Sequence, residues 1–135
     1  LNRVLAIDYG TKRCGIAVTD LLQMTAQPLD TVHPEKLFEF FKNYFDTEPV
    51  ETLVVGLPVQ KDGTPSKVET EIVGFIRKFK AQYPAINVVR VDERYTSKMA
   101  SQSLITMGAK KNQRKQKELI DKLSATLILQ TFLEK

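Results

Sequence analysis

Cysteine occurs once, at Cys14, and histidine once, at His33, in a chain of 135 residues. A lone thiol leaves no intrachain disulfide and no thiolate zinc site, and a single histidine offers no zinc cluster. Cys14 therefore reads as a buried structural thiol, and His33, just before Pro34, as a surface or capping residue. No apolar run approaches the roughly 20 residues needed to cross a bilayer. Leu1-Asn2-Arg3-Val4 leads straight into a strand-like segment instead of a leader peptide, so a cytoplasmic protein without a membrane partner is expected. Internal repeats and low-complexity tracts are missing too. Length excludes a second folded domain, so residues 1–135 read as one domain. Acid is absent from one stretch, Ala109 to Lys117, which holds Lys110, Lys111, Arg114, Lys115 and Lys117. Subtracting those five from the net charge of +4 leaves the rest of the chain at −1. Such a segment suits phosphate contact, and a solvated turn is the plain alternative.

What is present is an alternation of apolar runs. Val4-Leu5-Ala6-Ile7 suits a strand buried on both faces, Cys14 to Thr19 a strand pairing back on it, and Met24 to Val32 a third. Pro34 opens a helix with Leu37, Phe38, Phe41, Tyr44 and Phe45 on one face. Leu53 to Leu57 is the next buried strand. After a loop through Asp62-Gly63, Thr64-Pro65 reads as N-cap and first position of a helix with the stripe Val68, Ile72, Phe75, Ile76 and Phe79. Asn87 to Glu93 is a strand ending in acids. A helix capped at Thr96 and ending near Gly108 follows, then the basic segment as a linker, then a last helix from about Gln116. This order predicts an α/β architecture: a five-stranded mixed sheet, its first three strands antiparallel and the later two parallel, flanked by helices.

Three acids stand out. Asp8 ends the first apolar run, where a turn residue before Gly10 is the alternative. Period-two alternation sets Glu93 on a face with Val89 and Val91, unless the strand has already ended and the acids pair with Arg90 or Arg94 in solvent. Asp121 lines up with Ser124, Ala125, Ile128 and Phe132 on the core-facing stripe of the last helix, where a carboxylate must be neutralised, hydrogen-bonded or bound to a metal. Together Asp8, Glu93 and Asp121 offer the hard oxygen ligands that Mg2+ or Mn2+ takes. The candidate nucleic-acid contacts are Lys12 and Arg13 beside Asp8, Arg94 beside Glu93, and Lys110, Lys111, Arg114, Lys115 and Lys117.

Four ordered segments carry a resemblance: Asp8-Tyr9-Gly10-Thr11-Lys12-Arg13-Cys14-Gly15-Ile16-Ala17-Val18-Thr19-Asp20; Val55-Gly56-Leu57-Pro58 with Asp62-Gly63; Asp92-Glu93-Arg94-Tyr95-Thr96-Ser97; and Asp121-Lys122-Leu123-Ser124-Ala125 with Ile128-Leu129-Gln130. Over nearly the whole chain the sequence resembles the YqgF family, also called RuvX-like, of pre-16S rRNA nucleases once described as Holliday-junction resolvases. The resemblance implies an RNase H-like fold and carries the catalytic acids onto Asp8, Glu93 and Asp121. It implies a metal-dependent hydrolase acting on nucleic acid, in 5′-end maturation of precursor 16S rRNA during ribosome biogenesis, with cleavage of branched DNA at Holliday junctions as the alternative. Tyr95 stands where leucine is usual, Ser97 where threonine is, and Ser124 where alanine is frequent, none of them a proposed ligand.

Two other classes compete. Asp8-Tyr9-Gly10-Thr11 also looks like the phosphate-binding turn of actin-like ATPases and sugar kinases, but those close two such domains around a nucleotide. A noncatalytic RNA-binding or transcription-associated factor on the same fold is the other, although a pure binder gains nothing from an anionic cluster facing phosphate. No dimer interface is displayed by the sequence.

Overall fold

The computed structural model describes residues 1–59, 63, 66–93 and 113–134, with side chains in the last stretch described from 121 onward. The strands are β1 (Arg3–Asp8), β2 (Cys14–Thr19), β3 (Ala26–Val32), β4 (Val50–Leu57) and β5 (Asn87–Asp92). The helices are α1 (Leu37–Thr47), entered through a 3-10 turn at Pro34–Lys36, α2 (Glu69–Gln82) and α3 (Gln113–Leu133). The sheet order is β3-β2-β1-β4-β5, antiparallel among β1, β2 and β3 and parallel where β4 meets β1 and β5, as the strand pattern predicts. No helix among the described residues is long and apolar enough to cross a membrane.

Both faces of β1 are covered, which is why Val4 to Ile7 is an unbroken apolar run. Leu5 and Ile7 join Cys14, Ile16, Val18, Leu53 and Val55 against α1 and α2, where Leu37, Phe41, Ile72, Phe75 and Phe79 complete one core. Val4 and Ala6 join Ala17, Val54 and Val91 on the other face, beneath Ala125, Ile128 and Leu129 of α3. Helices thus cover the sheet on both sides, in three layers.

One helix start agrees with the sequence reading and two differ from it. At the first, His33 caps the 3-10 turn, its Nδ1 accepting from the Glu35 N–H at 3.1 Å, as expected of a capping residue. The second helix begins at Glu69, not at Thr64-Pro65, which lie outside the described residues. The chain is still turning at Ser66, whose N–H reaches back to the Pro58 carbonyl at 3.2 Å, and Glu69 and Glu71 supply the acids that favour a helix start. α3 begins at Gln113, three residues before the expected Gln116. Arg114 and Lys115 therefore belong to its first turn and not to a linker: glutamine, lysine and arginine are good helix formers that need no apolar partner to extend a helix already anchored further along. The helix expected from Thr96 to Gly108 lies outside the described residues.

The outer strand β3 is irregular. Ile16 pairs with Asp30 but Ala17 with Pro28, so Leu29 is an extra residue in the ladder, a bulge beside a proline.

Candidate active site

Asp8 is the last residue of β1 and still sits in the ladder, opposite Gly15 of β2, so it is no turn residue. Alternation places its side chain with Val4 and Ala6, on the α3 face. Glu93 follows β5 directly, its N–H donating to the Leu57 carbonyl at 3.0 Å, which extends the ladder by one bond. It shares the face of Val91 and is buried, at 8% exposure.

These two acids hang from strands that are not neighbours. Adjacent strands stand about 4.8 Å apart, so β1 and β5, with β4 between them, are separated by roughly 10 Å. Two features close the gap: Glu93 has the longer acidic side chain, and Gly56 of β4 has none. A Cβ on Gly56 would overlap the Glu93 side chain from Cγ to the carboxyl, so Glu93 lies across the bare backbone there. Its carboxyl meets that of Asp8 in a hydrogen bond. Burial, and then the charge of Glu93, hold the Asp8 carboxyl well above the usual carboxylate range. Burial also raises Glu93, against the hydrogen bond from Asp8 and the positive charge of Arg90. Two carboxyls set together away from water resist ionising both at once.

Asp121 faces the pair from α3, and its charge adds to what raises Glu93. A Cβ on Gly15 would overlap the Asp121 carbonyl, so the α3 backbone touches β2 directly opposite Asp8. Ser124 and Ala125, one turn on, are fully covered and small enough to permit that approach. Asp121 itself is only half-buried, with its side chain 24% exposed, and Arg13 Nε stands 3.8 Å from Oδ2. The expected core-facing stripe therefore begins fully with Ser124, and Asp121 occupies its rim. Cys14 points to the opposite core, and burial pushes its thiol up to about 12, which makes it inert.

Among the described residues, no three acids, cysteines or histidines are close enough as they stand to hold one ion. The donor chemistry nevertheless fits a hard divalent cation: two carboxyls in contact and a third facing them, with no sulfur and no imidazole. Lys12 is exposed and Arg13 half-buried on the turn beside Asp8. Arg94, Lys110 and Lys111 lie outside the described residues, and for Arg114, Lys115 and Lys117 only the helical backbone is described. Arg90 does not pair with the acids in solvent, because Glu69 engages it at 2.8 and 3.0 Å. Sequence reasoning did not single out Gly56, Gly15 or that pair. A glycine inside a buried apolar strand is the available signal for the first, since it marks close approach.

A family model described as "RuvX: Holliday junction resolvase" matches residues 2–135. A protein of Christiangramia forsetii is 51% identical over 133 residues, covering 98% of both chains, and bears the name "Putative pre-16S rRNA nuclease". Proteins of the same name from Flavobacterium johnsoniae and Bacteroides thetaiotaomicron are 48% and 45% identical, over 98% and 99% of this chain and 96% and 97% of theirs. Among solved structures, Thermus thermophilus RuvC superposes with a TM-score of 0.52 at 15% identity, over 98% of this chain and 96% of that one. RuvC from T. thermophilus in complex with a Holliday junction substrate gives 0.50 at 18%, over 95% and 92%. At such identities the likeness is one of fold, and the fold is RNase H-like.

Proposed function

The chain belongs to the RuvX family, and from that premise we propose that it is a divalent-metal-dependent nuclease whose Asp8, Glu93 and Asp121 hold Mg2+ or Mn2+. The observation that carries this reading is the direct contact between the Asp8 and Glu93 carboxyls across Gly56. A structural role does not need two acids driven together at the cost of burying both. When bound, the cation lowers the pKa of a water and neutralises charge developing on the phosphate. The protein's own contribution is positional. Asp8 and Glu93 would be the ligands from the sheet, and the bare backbone of Gly56 lets Glu93 reach Asp8. Asp121 closes the set from the helix, while Arg13 balances its charge and, with Lys12, meets the phosphate. Arg94 and the basic residues Lys110, Lys111, Arg114, Lys115 and Lys117 extend the contact along the backbone of the nucleic acid.

The substrate we propose is precursor 16S rRNA, trimmed towards its 5′ end in the cytoplasm during ribosome biogenesis, because the relatives above bear that name. The family description favours a second reading, cleavage of a four-way DNA junction. The test is cleavage of a 5′-extended 16S fragment and of a matched junction, with Mn2+ and with chelator. Asp8→Asn, Glu93→Gln and Asp121→Asn are each expected to abolish metal-dependent cutting while circular dichroism stays native. Wild-type turnover in the three variants sinks the site, and cutting confined to the junction transfers the function to the second reading.

A further inference from the structure

Behind the acids, on the opposite face of the sheet, Arg90 is committed to four hydrogen bonds. Its Nε donates to the Val55 carbonyl at 3.3 Å and Nη2 to the Gly56 carbonyl at 3.0 Å. Nη1 and Nη2 also grip the two oxygens of Glu69, in the first turn of α2, at 3.0 and 2.8 Å. Both side chains are largely covered, 25% and 17% exposed. A two-pronged pair of this kind fixes orientation as well as charge.

The location matters more than the bond count. Among the described residues β5 is the outermost strand on its side and has β4 as its one neighbour in the sheet. Its ladder runs to Leu57 opposite Asp92, and among the described residues a further backbone bond follows from the Glu93 N–H. Glu93 thus hangs from the end of an edge strand, the part of a sheet that opens most readily. Its reach to Asp8 depends on the backbone of Gly56, and the Gly56 carbonyl is what Arg90 holds. An ion pair that served to dock α2 alone would not need two donors on the carbonyls of Val55 and Gly56.

We infer that Arg90 is a positioning residue for Glu93: from the far face it staples the ends of β4 and β5 and anchors them to Glu69, so that Glu93 stays laid across Gly56 against Asp8. This rests on the reading of Asp8, Glu93 and Asp121 as the metal-holding set. Lysine cannot replace Arg90, because a compact ammonium has no fork to span two carbonyls and a carboxylate.

The experiment is Mn2+ binding to the full chain without nucleic acid, by titration calorimetry and by the loss of the free-ion EPR signal. Groups that hold metal ligands in place are worth about 10 to 100-fold in metal affinity. Arg90→Met is therefore expected to weaken Mn2+ binding at least about tenfold, with native circular dichroism. Arg90→Lys, the variant to rely on if the methionine protein does not fold, is expected to weaken it by a similar factor although the charge is kept. Glu69→Gln keeps the bonds to Val55 and Gly56 and is expected to bind closer to wild type than either. Glu93→Gln is the control for the underlying site. If Glu93→Gln loses Mn2+ while folded Arg90→Met and Arg90→Lys bind it like wild type, the role of Arg90 is overturned and the site stands. If Glu93→Gln itself binds like wild type, both fall.

Discussion

The two faces of the sheet are made of different material. Towards α1 and α2 the packing is aromatic: Phe41 contacts the rings of Phe38, Phe40, Phe45, Phe75, Phe79 and Tyr83, with centroids 5.1 to 6.5 Å apart. Towards α3 there is no ring in the buried cluster of the described residues, and small residues are set among the aliphatic ones: Ala6, Gly15, Ala17 and Gly56 on the strands and Ser124 and Ala125 on the helix, beside Val4, Val54, Val91, Ile128 and Leu129. Large rings stabilise by area and keep the helix axes at a distance. Small residues give up that area and let a helix backbone touch a strand at Gly15 and the Glu93 side chain cross the sheet at Gly56, which sets Asp121 facing the Asp8–Glu93 pair. One face supplies stability so that the other can hold acids that repel one another.

Phe41→Ala tests the contrast most severely. It removes a fully buried ring from the aromatic side and is expected to cost about 3–5 kcal/mol in urea unfolding. Mn2+ affinity, measured where the variant is still folded, is expected to hold. A loss of affinity matching the loss of stability would show that the two faces are not separable.

A smaller effect, of characteristic sign, comes from the acid pair. Asp8 and Glu93 are held above their ordinary values of 3.8 and 4.5, chiefly by burial. The folded protein therefore keeps protons that the unfolded chain has already released. Stability of the metal-free protein is expected to fall as pH rises from about 4 through the range where the folded pair ionises. Asp8→Asn is expected to flatten that decline. Chemical denaturation at a series of pH values measures it, and an equal slope in wild type and variant refutes it.

The smallest change is Ser124→Ala. The Ser124 hydroxyl is covered to 1% exposure and finds no hydrogen-bond partner among the described residues. Its removal is expected to stabilise the fold by about 1 kcal/mol, seen as a raised thermal midpoint. A lowered midpoint would mean that the hydroxyl is satisfied in solution and that the small-residue face is tuned for stability as well.

Much of this was legible from residue spacing. The alternation along Asn87 to Glu93 places Glu93 with Val91, the unbroken run before Asp8 identifies a strand covered on both faces, and the stripe of α1 names Leu37 and Phe41. These are local patterns, and local periodicity fixes which way a side chain points. What it does not fix is reach. That Glu93 crosses Gly56 to meet Asp8 depends on the order of strands 85 residues apart in sequence. Pairing of Arg90 with the neighbouring acids in solvent stayed open as the alternative because alternation gives its face but not Glu69 waiting on α2. The starts of α2 and α3 were misplaced because a proline and a run of cations are ambiguous without knowing what lies alongside.

The bulged, proline-bearing outer strand has a consequence for the protein's life among other proteins. An unpaired strand edge is a template on which a foreign chain, or a nascent copy of the same chain, can zip up. Here Leu29 breaks the repeat of that template, Pro28 lacks a donor, and the Asp30 carboxylate accepts the Thr31 N–H at 2.7 Å. Among the described residues that edge is thereby a poor template for intermolecular pairing, which protects against aggregation while the chain is being made and before α3, which follows all five strands in the sequence, has covered its side of the sheet.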